Sequence, residues 1–371
     1  MEVLHSKIGE VIKMDSKNKI ILSKNELITA LKNVMTKMDV VAPVKGSEGE
    51  THFQKIESTE EIFWKYTHDL YPSKNFFLKQ EEDLFRFSVN GKIDLKEFPV
   101  SQRKIVIFGI RSCDVKGLEY SDLFFSNTYK DNYYLEKRKR SILVSMACVK
   151  PPFDTCFCIC TNSGPFLESG FDLQIVDLGE QYLIDIGTKK GEDFLKAGKV
   201  KLVNAGEKEL ARVEELKKEA DVYFETATYF AKAIVQVTGN KVKKELWEDF
   251  GEACISCGSC THLCPMCTCF DVYDWMEDGN YGVRTRNWDS CHYAGYTREA
   301  SGHNPRGESE ERVKRRCYHK LSYQYMKINN NLHGCVGCGR CVIACPVSLD
   351  IPTIVKRIRR EGLIKKEIEK V

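Results

Sequence analysis

The sequence predicts an α+β fold with two parts, and three observations support this prediction. Over residues 1–225, short apolar segments bounded by turn residues alternate with amphipathic helical segments. Helical patterns dominate the rest of the chain. One cysteine motif occurs twice after residue 250. We therefore expect a mixed α/β domain at residues 1–225, followed by a mainly α-helical domain at residues 226–371.

The strands of the first part are predicted from short runs rich in valine, isoleucine and phenylalanine. They are Lys19–Leu22, Val40–Pro43, Asn75–Lys79, Leu84–Val89, Ile105–Ile110, Ile142–Met146, Leu173–Val176, Tyr182–Ile186 and Lys201–Val203. Helices are predicted where apolar residues recur at three- and four-residue spacing. They are Glu26–Met38, Glu60–His68, Glu207–Phe224, Thr226–Val237, Phe270–Glu277, Glu310–Lys327 and Ile351–Lys370. Together these elements predict a sheet with helices packed on it, followed by a helical part.

The repeated cysteine motif has the form C-x2-C-x2-C-x3-C-P and occupies residues 254–265 and 335–346. This spacing is typical of [4Fe–4S] ferredoxins, in which the cysteine before the proline binds the other cluster of a two-cluster protein. The two runs therefore predict two [4Fe–4S] clusters with crossed ligands. Cluster one takes Cys254, Cys257, Cys260 and Cys345, and cluster two takes Cys335, Cys338, Cys341 and Cys264. The expected fold of the second part is thus a helical two-cluster ferredoxin domain.

Zinc and disulfides are the alternatives for these cysteines. Zinc sites stop at four ligands, commonly two C-x2-C pairs, so two four-cysteine runs that each end in proline fit zinc poorly. Disulfides require an oxidising compartment. The chain has 17 cysteines, and two cluster sites would use eight of them, which favours a reducing cytoplasm.

The composition limits the kinds of partner. The net charge of +3 is too small to indicate nucleic-acid binding. The first residues lack the apolar run of a signal peptide. No stretch approaches the roughly 18 consecutive apolar residues of a membrane span, so none is expected.

Several segments carry a resemblance to a known family. They are Val41–Lys45, Phe108–Asp114, Cys156–Cys158, Gly170–Asp172, Cys264–Cys269, Arg286–Cys291, Gly302–Asn304 and Cys335–Cys341. With them, the chain resembles the iron–sulfur β subunit of cytoplasmic [NiFe] hydrogenase/sulfur reductase (sulfhydrogenase) complexes. It is also similar to the A subunit of anaerobic, siroheme-containing sulfite reductases. The Ala-Pro-Val-Lys and Gly-Phe-Asp segments favour the first relative.

The resemblance implies an electron-transfer subunit of an oxidoreductase complex. It implies two partners in a hetero-oligomer, namely a flavin subunit that exchanges electrons with NAD(P)H and a catalytic redox subunit. The sequence shows no G-x-G-x-x-G after a predicted strand and no G-x-x-x-x-G-K-[ST], so we expect no nucleotide site or catalytic residue in this chain. Two other classes of protein are alternatives. One is a self-contained iron–sulfur reductase, which needs an iron with a free coordination site for the substrate. The other is an assembly protein whose clusters are only structural.

Four of the nine remaining cysteines predict a third metal site. Cys113 and Cys148 follow two predicted buried strands whose connection is long enough for a helical crossover, so the strands would be parallel. The carboxyl ends of parallel strands lie at one edge of a sheet, where α/β proteins bind ligands. Cys156 and Cys158 follow in a loop that can fold back to this edge. The four thiols would hold a third [4Fe–4S] cluster or a zinc ion, with structural thiols as the alternative.

The other five cysteines allow several roles. Cys317 and Cys160 fit small buried apolar residues. Cys267, Cys269 and Cys291 would shield a cluster, bind another metal with a fourth group, or pack.

Basic residues are frequent late in the chain. They are Arg284, Arg286, Arg298, Arg306, Arg312, Lys314, Arg315, Arg316, Lys356, Arg357, Arg359 and Arg360. One interpretation is solvated helix faces. The other is a docking surface for an acidic partner, or positive charge that raises a cluster potential.

Overall fold

A computed structural model describes residues 18–66, 69–89, 94–99, 101–224, 228–327 and 332–361. A seven-stranded sheet organises the first part of the chain. Its strands, in spatial order, are β1 (Lys19–Ser23), β9 (Gln181–Ile186), β8 (Leu173–Asp177), β7 (Ser141–Met146), β6 (Ile105–Arg111), β2 (Asp39–Lys45) and β3 (Thr51–Ile56). Strands β2, β6, β7 and β8 are parallel, and the outer pairs are antiparallel. The carboxyl ends of the four parallel strands therefore lie at one edge.

Helices cover both faces of this sheet. On one face lie α1 (Lys24–Met35) and α4 (Lys189–Ala197), which pack on residues such as Val106 and Phe108. On the other lie α2 (Ser112–Ser126) and α3 (Asn132–Arg140), which pack on Ile107. Every residue of β7 is buried, as expected for a parallel strand covered on both faces. These layers hold the ends of β6 and β7 in fixed positions.

A second sheet has four strands, in the order β10 (Phe270–Met276), β11 (Tyr281–Trp288), β4 (Glu81–Ser88) and β5 (Leu95–Glu97). It combines strands from both sides of residue 225. The predicted helix Phe270–Glu277 is therefore wrong, because this segment is β10. The segment is rich in aromatic and β-branched residues, and its pairing with β11 decides its conformation.

The remaining described helices are α5 (Glu207–Tyr223), α6 (Phe230–Thr238), α7 (Lys244–Ala253), α8 (Ser259–His262), α9 (Ser309–Leu321), α10 (Arg340–Ala344) and α11 (Ile351–Glu361). Helix α5 packs beside β8 and β9. Buried side chains of α6, α7, α9 and α11 pack together, among them Val237, Phe250, Val313 and Ile354. Within the described residues, no helix has the length and apolar character needed to cross a membrane.

The structure corrects further predictions from the sequence. Asn75–Lys79 is not a strand, because residues Ser73–Phe76 form a 3-10 turn and Phe77 is a buried anchor. Lys201–Val203 forms no strand, although the Ile21 N–H donates to the Val203 carbonyl at 2.9 Å. Strands β3 and β5 were not predicted.

Two predicted helices are shorter than expected, and the end of a third lies outside the described residues. Glu60–His68 contains only a 3-10 turn at Thr59–Glu61, and its last two residues lie outside the described ranges. Helix α9 ends at Leu321, because a 3-10 turn follows. Helix α11 is described as far as Glu361, and the end of that prediction lies outside the described residues.

Candidate iron–sulfur sites

The first cysteine motif forms a tight loop between α7 and α8. Cys254 follows the last residue of α7, and its Sγ accepts a hydrogen bond from the Ser256 N–H at 3.4 Å. Gly258 has a φ of +76°, and a Cβ there would lie 2.7 Å from the Tyr293 hydroxyl oxygen. A glycine is therefore needed both for the turn and for the close approach of Tyr293.

The loop directs its first three cysteines toward one small cavity. Cys254, Cys257 and Cys260 line this cavity together with Cys345 of the second motif. The Cys345 Sγ accepts a hydrogen bond from the Leu349 N–H at 3.1 Å. The structure thus brings together the four cysteines predicted for cluster one, including the one distant in sequence.

The second motif lies deeper in the protein. Cys335 and Cys338 are buried, and the Gly337 N–H donates to the Cys335 Sγ at 3.5 Å. Burial raises the pKa of Cys338 to about 11, and the Cys264 thiol adds to this effect while Arg340 opposes it. Burial is also the main cause of the raised pKa of Cys335 and of Cys341, and Cys264 again contributes. Cys264 therefore lies near the three cysteines with which it was predicted to hold cluster two.

The four cysteines of the predicted third site also line one cavity. Cys113 lies in the first turn of α2 just after β6, and Cys148 lies two residues after β7. Strands β6 and β7 are parallel, as predicted, so both residues lie at the same edge of the sheet. The loop that carries Cys156 and Cys158 folds back over this edge. All four thiols are buried.

The third site adjoins the second motif. The Phe157 N–H donates to the Gly337 carbonyl at 2.8 Å, and the Cys156 thiol contacts the Cys338 carbonyl oxygen at 3.7 Å. Gly337 has a φ of +61°, and a Cβ there would lie 2.5 Å from the Phe157 carbonyl oxygen. The two sites are therefore adjacent, and the backbone of Phe157 and Gly337 lies between them.

Helix α9 places positive charge among these cysteines. Arg312, Arg316 and Lys320 are spaced four residues apart, so they share one face of the helix, and that face is buried. The Lys320 ammonium donates to the Cys264 Sγ at 3.3 Å. Burial opposes the charge of Arg316, yet the thiols of Cys260 and Cys341 hold its pKa above the usual value. Arg316 thus lies between the two ferredoxin motifs.

For Arg312 and Arg316 the interpretation as a solvated face is wrong, and the burial of Lys320 was missed. The four-residue spacing of Arg312, Arg316 and Lys320 places them on one face of the predicted helix. This spacing was the signal in the sequence that they act together. Another buried cation, Lys74, was missed because nothing in its local sequence marks it.

The other cysteines divide into two groups. Cys317 is fully buried in the helical core, as expected for a small apolar residue, and the Cys160 Sγ accepts a hydrogen bond from the Thr228 N–H at 3.3 Å. Cys267, Cys269 and Cys291 line a separate pocket of about 880 Å³, with Arg316 and Lys320.

The donor sets suit iron–sulfur clusters, in which each cysteine binds a separate iron. In the described ranges, no three His, Cys, Asp or Glu side chains converge as ligands of one metal ion do. At the third site, the cluster and the zinc ion both stay predictions.

Comparison with known proteins agrees with this geometry. Residues 253–349 match the family described as a 4Fe-4S dicluster domain, which contains both cysteine motifs. Over these residues the chain is similar to iron–sulfur proteins with a dicluster domain.

A curated relative extends the similarity over most of the chain. It is the Sulfhydrogenase 2 subunit beta of Pyrococcus furiosus, with 28% identity over 312 residues, or 84% of this chain and 90% of the relative. The chain is thus similar over most of its length to a sulfhydrogenase β subunit, in agreement with the resemblance seen in the sequence. No solved structure matches the chain.

Proposed function

We propose that this chain is the electron-relay subunit of a cytoplasmic oxidoreductase complex related to sulfhydrogenases. It connects a subunit that carries flavin and reacts with NAD(P)H to a catalytic subunit of the [NiFe] hydrogenase/sulfur reductase type. The sulfhydrogenase β subunit found as a relative supports this assignment over a sulfite reductase A subunit. The 17 cysteines, eight of them in two cluster motifs, support the cytoplasmic location.

One observation carries the proposal, namely that the cysteine sets form a continuous row. The loop of Cys156 and Cys158 packs on the second motif. Cys264 connects the first motif to the second, and Arg316 faces cysteines of both. When bound, each cluster would accept and release single electrons. The chain holds the sites side by side, excludes water through burial, and supplies compensating positive charge.

The cluster-one end of the row reaches the surface. Cys257 is exposed, and the Ile255 and Val347 side chains beside it are 61% and 39% exposed. Both residues line the cavity of cluster one. An apolar surface next to a redox site suits contact with a partner subunit. We assign electron exchange with a partner to this end.

Reduction experiments test the relay. The purified chain, loaded anaerobically with iron and sulfide, should be bleached by dithionite but not by NAD(P)H. Addition of the flavin subunit should make its clusters reducible by NAD(P)H, because a flavin converts hydride transfer into single-electron steps. NAD(P)H oxidation by the flavin-free chain would contradict the proposal and reveal a nucleotide site in this chain.

A surface variant tests whether electrons are exchanged with the partner at the cluster-one end. Ile255→Lys should slow electron transfer to or from the partner while leaving iron content unchanged. Leu202→Lys is the control, because Leu202 is similarly exposed, at 60%, and does not line the cavity of cluster one. Equal rates of electron transfer for the two variants would show that the partner subunit does not contact the surface beside cluster one.

A further inference from the structure

One pocket of the structure has three cysteines in its wall. It measures about 880 Å³, and Cys267, Cys269 and Cys291 line it. None of them belongs to the ferredoxin motifs or to the third site. We propose that these three thiolates hold a further [4Fe–4S] cluster, which goes beyond the relay function argued above.

The first argument is how the fold gathers these thiols. Cys269 directly precedes β10 and Cys291 follows β11, so the hairpin brings them together. The pairing of Phe270 with Trp288 is continued by a hydrogen bond from the Asp289 N–H to the Cys269 carbonyl at 3.1 Å. Cys267, three residues after Cys264, lines the same pocket as Cys269 and Cys291. Three cysteines from two loops therefore share one wall of the pocket.

The second argument is the positive charge around them. The Lys74 ammonium is fully buried, donates to the Cys267 carbonyl at 2.7 Å and lies 4.4 Å from the centre of the Trp288 ring. A buried ammonium requires nearby negative charge. An anionic cluster held by Cys267 and Cys269, beside the carbonyl that Lys74 contacts, would supply it.

Metal binding is the ordinary reason for buried thiolates. Three cysteines would bind three irons of a cubane. The fourth iron would then lack a cysteine, and Arg316 and Lys320 in the pocket wall would attract an anionic ligand to it.

Differential alkylation of the complete chain tests the proposal. Protein loaded anaerobically is treated with iodoacetamide, the cysteines are mapped by peptide mass, and the treatment is repeated after iron removal. Cys267 and Cys269 should be protected in the loaded protein and reactive in the iron-free protein. Equal reaction in both states would overturn the proposal. The ferredoxin cysteines lie at other positions, so failure of the relay assignment is scored separately.

Iron content provides a second readout. A variant with Cys267→Ala, Cys269→Ala and Cys291→Ala should bind about four fewer irons per chain, the content of one cubane. Cys317→Ala is the matched control, because Cys317 is also buried but lies in the helical core. Wild-type iron content in the triple variant would refute the cluster. If the triple variant does not fold, the alkylation of the unaltered chain decides.

Discussion

Arg340 and Asp114 form a buried, two-point ion pair that joins the second cysteine motif to the large sheet. The guanidinium Nη1 and Nη2 donate to the two carboxylate oxygens at 2.7 and 2.8 Å. The side chains are 0% and 4% exposed. Arg340 begins α10, and Asp114 follows Cys113 in α2. The pair therefore fixes the third site against the second motif.

Loss of one partner of this pair should be strongly destabilising. Asp114→Ala leaves the Arg340 charge buried without its carboxylate, and breaking such pairs lowers the free energy of unfolding by about 3–5 kcal/mol. Urea denaturation of the iron-loaded protein measures the loss. We also expect reduced iron content, because Arg340 lies within the second motif.

An exposed pair in the same protein is the control. Arg284 donates to both carboxylate oxygens of Asp274 at 2.7 Å, with the two side chains 43% and 40% exposed. Asp274→Ala should lower the free energy of unfolding by about 1 kcal/mol or less, because solvent screens this pair. Similar losses for the two variants would show that burial of Arg340 does not set the strength of its pair.

The third site shows what the sequence could predict. Two buried strands with a long connection between them are expected to be parallel, which puts the residues after them at one edge. The structure places Cys113 and Cys148 at that edge, and the loop of Cys156 and Cys158 covers it. The prediction succeeded because it depended on local patterns and on one topological rule.

The prediction failed where distant partners decide the conformation or the burial. Phe270–Met276 carries apolar residues that suit either a helix or a strand, and it becomes a strand because β11 pairs with it. Arg316 and Lys320 look like surface residues in sequence, but they are buried because thiols from two motifs surround them. Neither set of neighbours can be identified from the local sequence.

The crossing of ligands can be tested with two single variants. Cys264→Ser should alter the cluster bound by Cys335, Cys338 and Cys341, although it lies in the first motif. Cys257→Ser should alter the other cluster, which Cys345 shares. Paramagnetic resonance of the reduced proteins distinguishes the two signals. Damage to the same signal by both substitutions would disprove the crossing.

The third site predicts a specific change in iron content. Cys148→Ser should remove about four irons per chain relative to wild type, since Cys148 lines the cavity predicted to hold one cubane. Cys160→Ser should leave the iron content unchanged, because Cys160 is close in sequence to the ligands but does not line that cavity. Iron and acid-labile sulfide are counted on anaerobic protein. Full iron content in Cys148→Ser would reduce this site to structural thiols.

The charge on Lys320 should raise the reduction potential of cluster two. Its ammonium donates to the Cys264 Sγ at 3.3 Å, and a nearby positive charge favours the reduced, more negative cluster. Lys320→Gln should therefore lower that potential, on the order of 60 mV, which is a tenfold change in a one-electron equilibrium. Lys314→Gln is the control on the same helix, because Lys314 is partly exposed to solvent that screens its charge. A redox titration followed by paramagnetic resonance measures both variants. Equal shifts, or no shift in Lys320→Gln, would show that this ammonium does not tune the cluster.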